Sequence, residues 1–107
     1  MLYKFKSKAA GDLIMLEPQG QQFLQIIGKT PGPQGIIESD EMPAAMAALQ
    51  QAVSDQEAAQ ANAVAEAKAQ GQTPPRFEAI GLRQRAKPIT DMLKRCHQAG
   101  QPIVWGV

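Results

Sequence analysis

The chain has 107 residues, with 11 basic and 10 acidic side chains and a formal net charge of +1 at pH 7. That length fits one domain, residues 1–107, and the near-neutral charge lacks the basic excess typical of nucleic-acid-binding proteins. Leu, Ile, Val and Phe make up about a fifth of the residues, as in some disordered chains, but disorder also requires a high net charge. We therefore expect a folded domain.

The first predicted element is a β-strand over residues 2–7. Tyr3 and Phe5 alternate along the chain with Lys4 and Lys6. A period of two residues is typical of a strand with one buried face and one exposed face. We expect the two aromatic side chains to lie in the core and the two lysines to face the solvent.

A second strand is predicted over residues 12–17, after a turn that ends in a glycine. Its apolar side chains follow one another without a break, which indicates a strand covered on both faces. A helix beginning near Asp12 is the alternative reading of so short a run. Pro18 fits the first position of the next helix, residues 18–27, and Gly28 fits its left-handed C-terminal position. We expect this helix to pack on the hairpin.

The next ten residues, 28–37, contain two prolines and three glycines, which predicts a surface crossover. It ends in a short extended piece at Ile36 and Ile37. Its first three residues resemble the end of a phosphate-binding loop, but Phe23 stands where that motif requires glycine. Lys29 also follows a helix, whereas the motif needs a strand before the lysine. We interpret this segment as a helix stop.

A long helix is predicted over residues 43–70, with Ser39 or Asp40 as its N-cap and Gly71 as its end. At 1.5 Å per residue it would be roughly 42 Å long. A compact domain of this size has a radius of gyration of about 13 Å. We therefore expect part of this helix, together with the following linker, to project as an arm over about residues 54–75.

The two halves of the long helix differ in what they can bury. Met46, Leu49 and Val53 form an apolar stripe at helical spacing in the first half. The same spacing leads to Gln56, Gln60 and then alanines in the second half. The first half can be anchored to a core, whereas the second half remains helical mainly because alanine has a high helix propensity.

A third helix is predicted over residues 82–99, kinked at Pro88 and ended by Gly100. The chain then closes with an extended apolar strand over residues 102–106, which we expect to join the sheet beside the hairpin. The predicted class is α+β: a small, mainly antiparallel sheet packed against about three helices, one of them long and Ala-rich.

No residues form a recognisable catalytic or metal-binding constellation. Cys96 and His97 are the only thiol and the only imidazole, and neighbours on a helix point about 100° apart. They are poorly placed to share a metal or to form a nucleophile and base. We interpret Cys96 as a buried core residue and His97 as a cation near a helix C-terminus. The prediction is a non-enzymatic protein with no catalytic, cofactor-binding or metal-binding residue.

Charge is unevenly distributed along the chain, with an acidic second helix and a basic third helix. Such helices can pack antiparallel within one chain or pair between subunits. The hypothesis for function is a protein-interaction or assembly module that self-associates or binds another protein. Its candidate interaction surface is made of an apolar stripe and a basic face: Met46, Leu49, Val53, Arg83, Arg85, Lys94 and Arg95.

Two other functions belong to different classes. One is a small-molecule-binding regulatory domain with a pocket near Trp105, Asp12 and the basic helix. The other is a nucleic-acid-binding protein in which the lysines of residues 4–8 join the arginines of the third helix. Tyr3 and Phe5 would then serve as stacking platforms, although the scarcity of aromatic residues and the low net charge argue against it.

Cellular location is predicted from three absences in the sequence. The lone cysteine cannot form an internal disulfide, the N-terminus lacks the apolar core of a signal peptide, and no apolar run could span a bilayer. We expect a cytoplasmic protein without a membrane partner.

Four segments resemble, in the same order, a family of small proteobacterial proteins known only as a domain of unknown function. They are MLYKFKSKAAGDLIMLEPQG, GPQGIIESDEMPAAMAALQQAV, LRQRAKPITDMLKR and IVWGV. The resemblance covers nearly the whole chain, and residues 54–72 look like the variable part. It implies a bacterial cytoplasmic protein and assigns no functional residue.

Overall fold

The structure is a computed structural model that describes residues 2–77 and 81–106. Four strands and three helices follow one another along the chain, with a short 3-10 turn before the longest helix. They are β1 (Leu2–Ser7), β2 (Ala10–Leu16), α1 (Glu17–Ile26), β3 (Gly35–Ile37), the 3-10 turn (Ser39–Glu41), α2 (Met42–Ala69), α3 (Leu82–Ala99) and β4 (Ile103–Trp105). The predicted α+β class is confirmed.

The strands form one antiparallel sheet in the order β2-β1-β4-β3. The hairpin of β1 and β2 is present, and β4 pairs with β1 through Phe5 opposite Trp105, as predicted for the C-terminal strand. The extended piece at Ile36 and Ile37 goes further than predicted, because it pairs with β4 as a fourth strand. The two edges of the sheet are β2 and β3.

All three helices pack on one face of this sheet, which we call the inner face. Phe5, Ile37, Ile103 and Trp105 point from the strands into a core shared with the helices. The Phe5 and Trp105 rings meet edge to face, with centroids 5.9 Å apart. Such a contact stabilises a core beyond the area it buries. Burial of Phe5 and partial burial of Tyr3 match the strand prediction.

The prediction that the second strand is covered on both faces is wrong. Met15 is buried on the inner face, but Ile14 and Leu16 on the opposite face are 55% and 65% exposed. A continuous apolar run shows that both sides of a strand are apolar, and it does not show that both sides are covered. Here the helices are available to one side only.

The long helix α2 runs antiparallel to α3. At one end, the carbonyl oxygen of Ser39, just before α2, lies 3.0 Å from Nδ1 of His97, near the end of α3. At the other end, the Leu82 N–H donates to Oε1 of Gln56 at 3.2 Å. The sequence left intramolecular packing and pairing between subunits open for these helices, and the fold realises the intramolecular arrangement.

The last twelve residues of α2, 58–69, extend roughly 18 Å past the start of α3. Only Ala67 is buried among them, and it is not part of the hydrophobic core. The described residues accordingly span 53 × 28 × 22 Å with a radius of gyration of 16.1 Å. That exceeds the roughly 13 Å of a compact domain of this length. We call residues 58–69 the arm.

The crossover between α1 and α2 is anchored by polar contacts. Gly28 ends α1 with a φ of 84°, the left-handed conformation expected of it. Lys29 then forms an ion pair with Glu41 at 2.6 Å. Glu41 also accepts the N–H of Glu38 at 2.9 Å, so a capping box of Glu38 and Glu41 precedes α2 in place of the predicted Ser39 or Asp40 cap.

Candidate interaction surface

The apolar stripe predicted as a contact surface lies mostly inside the protein. Leu49 and Val53 are 2% and 4% exposed and belong to the core, while Met46 is partly buried against it. Met46, Leu49, Val53 and Arg83 line a cleft of about 300 Å³ between α2 and α3. Leu49 and Val53 expose almost no area to it, so these two residues are corrected from a surface role to a core role.

The basic residues of α3 are divided among several environments. Arg83 binds Glu57 through two hydrogen bonds of 2.8 and 3.0 Å, and Arg85 donates to Gln22 at 3.2 Å. The hydrogen bonds from Arg83 hold the pKa of the Glu57 carboxyl below its usual value, and the same bonds raise the pKa of Arg83. This pair joins α3 to α2 within the chain.

The two remaining basic residues of the predicted surface, Lys94 and Arg95, are exposed on the side of α3 away from its core contacts. Arg95 lines a shallow cleft of about 200 Å³ together with Asp12 and Asp91. Within the predicted basic face of α3, Arg83 is therefore compensated by Glu57, and Arg95 shares a cleft with two carboxylates.

A different surface is both apolar and uncovered. The outer face of the sheet, opposite the helices, carries Leu2, Ile14, Leu16, Ile36 and Val104 together with Lys4, Lys6 and Asp12. Leu2 and Ile36 are 61% and 40% exposed, and Ile14 and Leu16 on β2 are 55% and 65% exposed. Outward positions of a one-sided antiparallel sheet are ordinarily polar. An apolar outer face of this kind is typical of a contact surface.

The charged side chains divide the outer face into two apolar areas. Leu2, Ile14 and Leu16 cluster at the corner formed by β1 and β2, whereas Val104 and Ile36 lie side by side on β4 and β3. Lys4 lies between them on β1, and its Nζ is 3.5 Å from the Asp12 carboxylate. Because one lysine already has a carboxylate partner, the face offers apolar contact more than net charge.

Sequence reasoning missed this outer face, although the signal was present. Between Leu13 and Leu16, the residues on both sides of β2 are apolar: Leu13 and Met15 on one side, Ile14 and Leu16 on the other. That pattern fits a covered strand or a strand with an uncovered apolar side, and periodicity alone does not separate the two. Only the placement of the helices on the inner face shows that the outer side of β2 is uncovered.

A small cavity of about 220 Å³ lies beside Trp105, where one of the alternative functions placed a ligand site. The Tyr3 hydroxyl and Trp105 Nε1 both donate to the carbonyl oxygen of Gly32, at 3.4 and 3.1 Å. Lys4 and Glu17 also line this cavity. Asp12 and the basic helix do not, so that part of the predicted pocket is wrong.

The two groups of basic residues lie on opposite sides of the sheet. Lys4 and Lys6 lie on the outer face, whereas α3 packs on the inner face. Phe5, one of the two proposed stacking platforms, is fully buried. Stacking on a base requires an exposed ring. The single basic surface imagined for nucleic acid is therefore not formed by these residues.

Cys96 is a free, buried cysteine, as predicted. Within residues 2–77 and 81–106, no three His, Cys, Asp or Glu side chains are grouped so that they could hold a metal ion. In the same part of the chain, no helix combines the length and the apolar character needed to cross a membrane.

Comparison with known proteins gives a family and little else. No curated protein matches the chain significantly, and no solved structure does. One family model covers almost the whole sequence, from residue 1 to residue 105. The chain therefore belongs to the family described as "Domain of unknown function (DUF1840)".

Proposed function

We propose that this chain is a non-enzymatic, cytoplasmic assembly module that self-associates, with the outer face of the sheet as its contact surface. The observation that supports the proposal is the exposed apolar area of that face, formed mainly by Leu2, Ile14 and Leu16. A sheet with one apolar face normally buries it against another layer. In this fold the chain's own helices are all used on the inner face.

The area available on this surface fits a weak, reversible complex. Three apolar side chains, Leu2, Ile14 and Leu16, are 55–65% exposed, and each would be removed further from water in a complex. This gain is opposed by the loss of translational and rotational freedom on association. We therefore expect weak self-association that depends on concentration.

Light scattering coupled to size exclusion tests the proposal on the full chain. We expect the mean mass to rise from monomer towards dimer as the loading concentration increases from about 10 μM to about 1 mM, the range in which weak complexes form. Replacing Leu2 and Leu16 together by serine should shift this rise to higher concentration. A mass that stays monomeric throughout the range contradicts the proposal.

Phe77 provides a matched control, because it is 43% exposed but does not lie on the sheet. Phe77→Ser removes a large exposed apolar side chain without altering the outer face. This variant should associate as the wild type does. Equal weakening by Phe77→Ser and by the double serine variant would mean that general surface hydrophobicity, and not this face, drives association.

A small-molecule-binding regulatory domain is the second candidate, and the cavity beside Trp105 is the observation that favours it. Its lining combines two aromatic rings with one cation and one carboxylate. Its volume of about 220 Å³ is below the roughly 300–1,000 Å³ of usual ligand sites. Thermal-shift screening with metabolites and nucleotides tests it, since a ligand for this cavity should raise Tm and change the fluorescence of Trp105.

A further inference from the structure

The two edges of the sheet are built in opposite ways. The β3 edge has three residues and is preceded by Pro31 and Pro33. A short strand near prolines is a common means of preventing another strand from pairing. The β2 edge has seven residues with neither proline nor lysine. Among the described residues, β2 pairs only with β1.

The β2 edge is also apolar on both of its sides. Leu13 and Met15 point to the inner face, and Ile14 and Leu16 point to the outer face. A groove of about 340 Å³ runs beside the strand and is lined by these four residues together with Leu2, Gln19 and, from α3, Arg85 and Pro88. A long edge with an apolar, uncharged stretch, here Leu13 to Leu16, is one that can accept another strand. One edge of this sheet is thus protected and the other is open.

We infer that the open edge pairs with β2 of a second copy of this chain, antiparallel and about a two-fold axis, so that two four-stranded sheets become one of eight strands. This inference rests on the proposed function and specifies how the two copies meet. Strand addition at an edge supplies main-chain hydrogen bonds for affinity and side-chain contacts for register. Pairing also joins the outer corners formed by Leu2, Ile14 and Leu16 of the two copies into one apolar patch.

Charge favours a second copy as the partner of this edge. On the strand itself the stretch from Leu13 to Leu16 is uncharged, so directly paired strand residues of two copies do not present like charges to each other. Arg85, beside the strand, is hydrogen-bonded to Gln22 of its own chain. With the two-fold axis at Ile14, Asp12 of one copy faces Leu16 of the other. The only carboxylate on this strand therefore meets an apolar residue and not its own equivalent. A two-fold contact of this type closes on itself and gives a dimer.

Ile14 and Ile36 allow a matched test, because both are exposed isoleucines on the outer face and they lie on opposite edges. A charged residue on an open edge blocks strand pairing. We expect Ile14→Lys to weaken self-association by at least about tenfold, whereas Ile36→Lys should change it by less than about threefold. Circular dichroism and Trp105 fluorescence verify that both variants are folded.

Cross-linking gives a second readout that does not depend on weakening the complex. Directly opposed side chains in an antiparallel pair have Cβ atoms about 4.5–5.5 Å apart. A short bis-maleimide should therefore link Ile14→Cys to its equivalent in the second copy, and it should not link Ile36→Cys. The natural cysteine, Cys96, is buried, so the wild-type protein is the background control.

The outcomes separate the inference from the function on which it rests. Loss of association in Ile14→Lys together with a cross-link only at Ile14→Cys supports edge pairing. Loss of association in Ile36→Lys, with Ile14→Lys unaffected, overturns edge pairing and leaves self-association through the outer face intact. A wild-type protein that is monomeric at every concentration overturns both.

Discussion

Replacing Gly35 by alanine should destabilise the fold, because the added methyl group would collide with the indole ring of Trp105. Gly35 lies opposite Trp105 on the inner face, and the indole ring occupies the space above it. A Cβ atom at Gly35 would overlap Cζ2 and Cη2 of Trp105 and would lie 2.6 Å from Cε2. Ordinary van der Waals contact begins at 3.4 Å, so the ring or the strand must move by about 1 Å.

The indole has little freedom to make that movement. Trp105 is 2% exposed, its Nε1 donates to Gly32, and its ring packs against Phe5. Overpacking a core costs about 1–3 kcal/mol, and a strained or broken buried hydrogen bond adds about 1 kcal/mol or more. We therefore expect Gly35→Ala to lower the free energy of unfolding by about 3 kcal/mol. For a domain of this size that lowers Tm by about 12 °C.

Urea unfolding monitored by Trp105 fluorescence and by circular dichroism measures this effect. Gly11→Ala is the matched control, because Gly11 also lies in a strand, has no atom within 4 Å of an added Cβ, and has no positive φ. Its stability should change by less than about 1 kcal/mol. If Gly35→Ala were as stable as Gly11→Ala, the packing of the indole over Gly35 would be refuted.

Three further predictions concern the helices and the crossover. Leu49→Ala should lose about 2–5 kcal/mol of stability in urea unfolding, and Met46→Ala should lose less because Met46 is only partly buried. The hydrogen bond from Lys29 lowers the pKa of Glu41. The ion pair therefore stabilises the fold above the unfolded pKa of 4.5, and this stabilisation is lost as the pH falls through the lower, folded pKa. Glu41→Gln should be less stable than wild type by up to about 1 kcal/mol at pH 7, and the two Tm values should converge on acidification below pH 4.5. In the arm, Ala61→Pro should reduce helical circular dichroism without changing the urea midpoint, whereas Ala52→Pro, beside the core, should lower the midpoint strongly.

Local pattern was sufficient for most of the elements. Residues 2–7, 82–99 and the long helix were placed almost as they are found, because alternation, helical spacing, glycine and proline act over a few neighbouring residues. Gly28 and Gly100 were also predicted as helix ends, and both have the positive φ that such positions require. These properties depend on backbone sterics within one or two turns, so they can be read from sequence.

The interaction surface depended on distant parts of the chain. Leu49 and Val53 form an apolar stripe in either case, but only the packing of α2 against α3 and α1 around a shared core buries them. Arg83 is a surface cation until α3 brings it to Glu57. Periodicity along an element shows which residues share one of its sides. It does not show which other part of the chain packs against that side.

The sequence by itself determined a small α+β domain with a long Ala-rich helix, and it determined that β2 is apolar on both sides. The tertiary structure decided that all three helices cover the same face of the sheet, which leaves Ile14 and Leu16 exposed at an open edge. The physical reason is that alternation along a strand is local, whereas burial depends on which other elements reach each face.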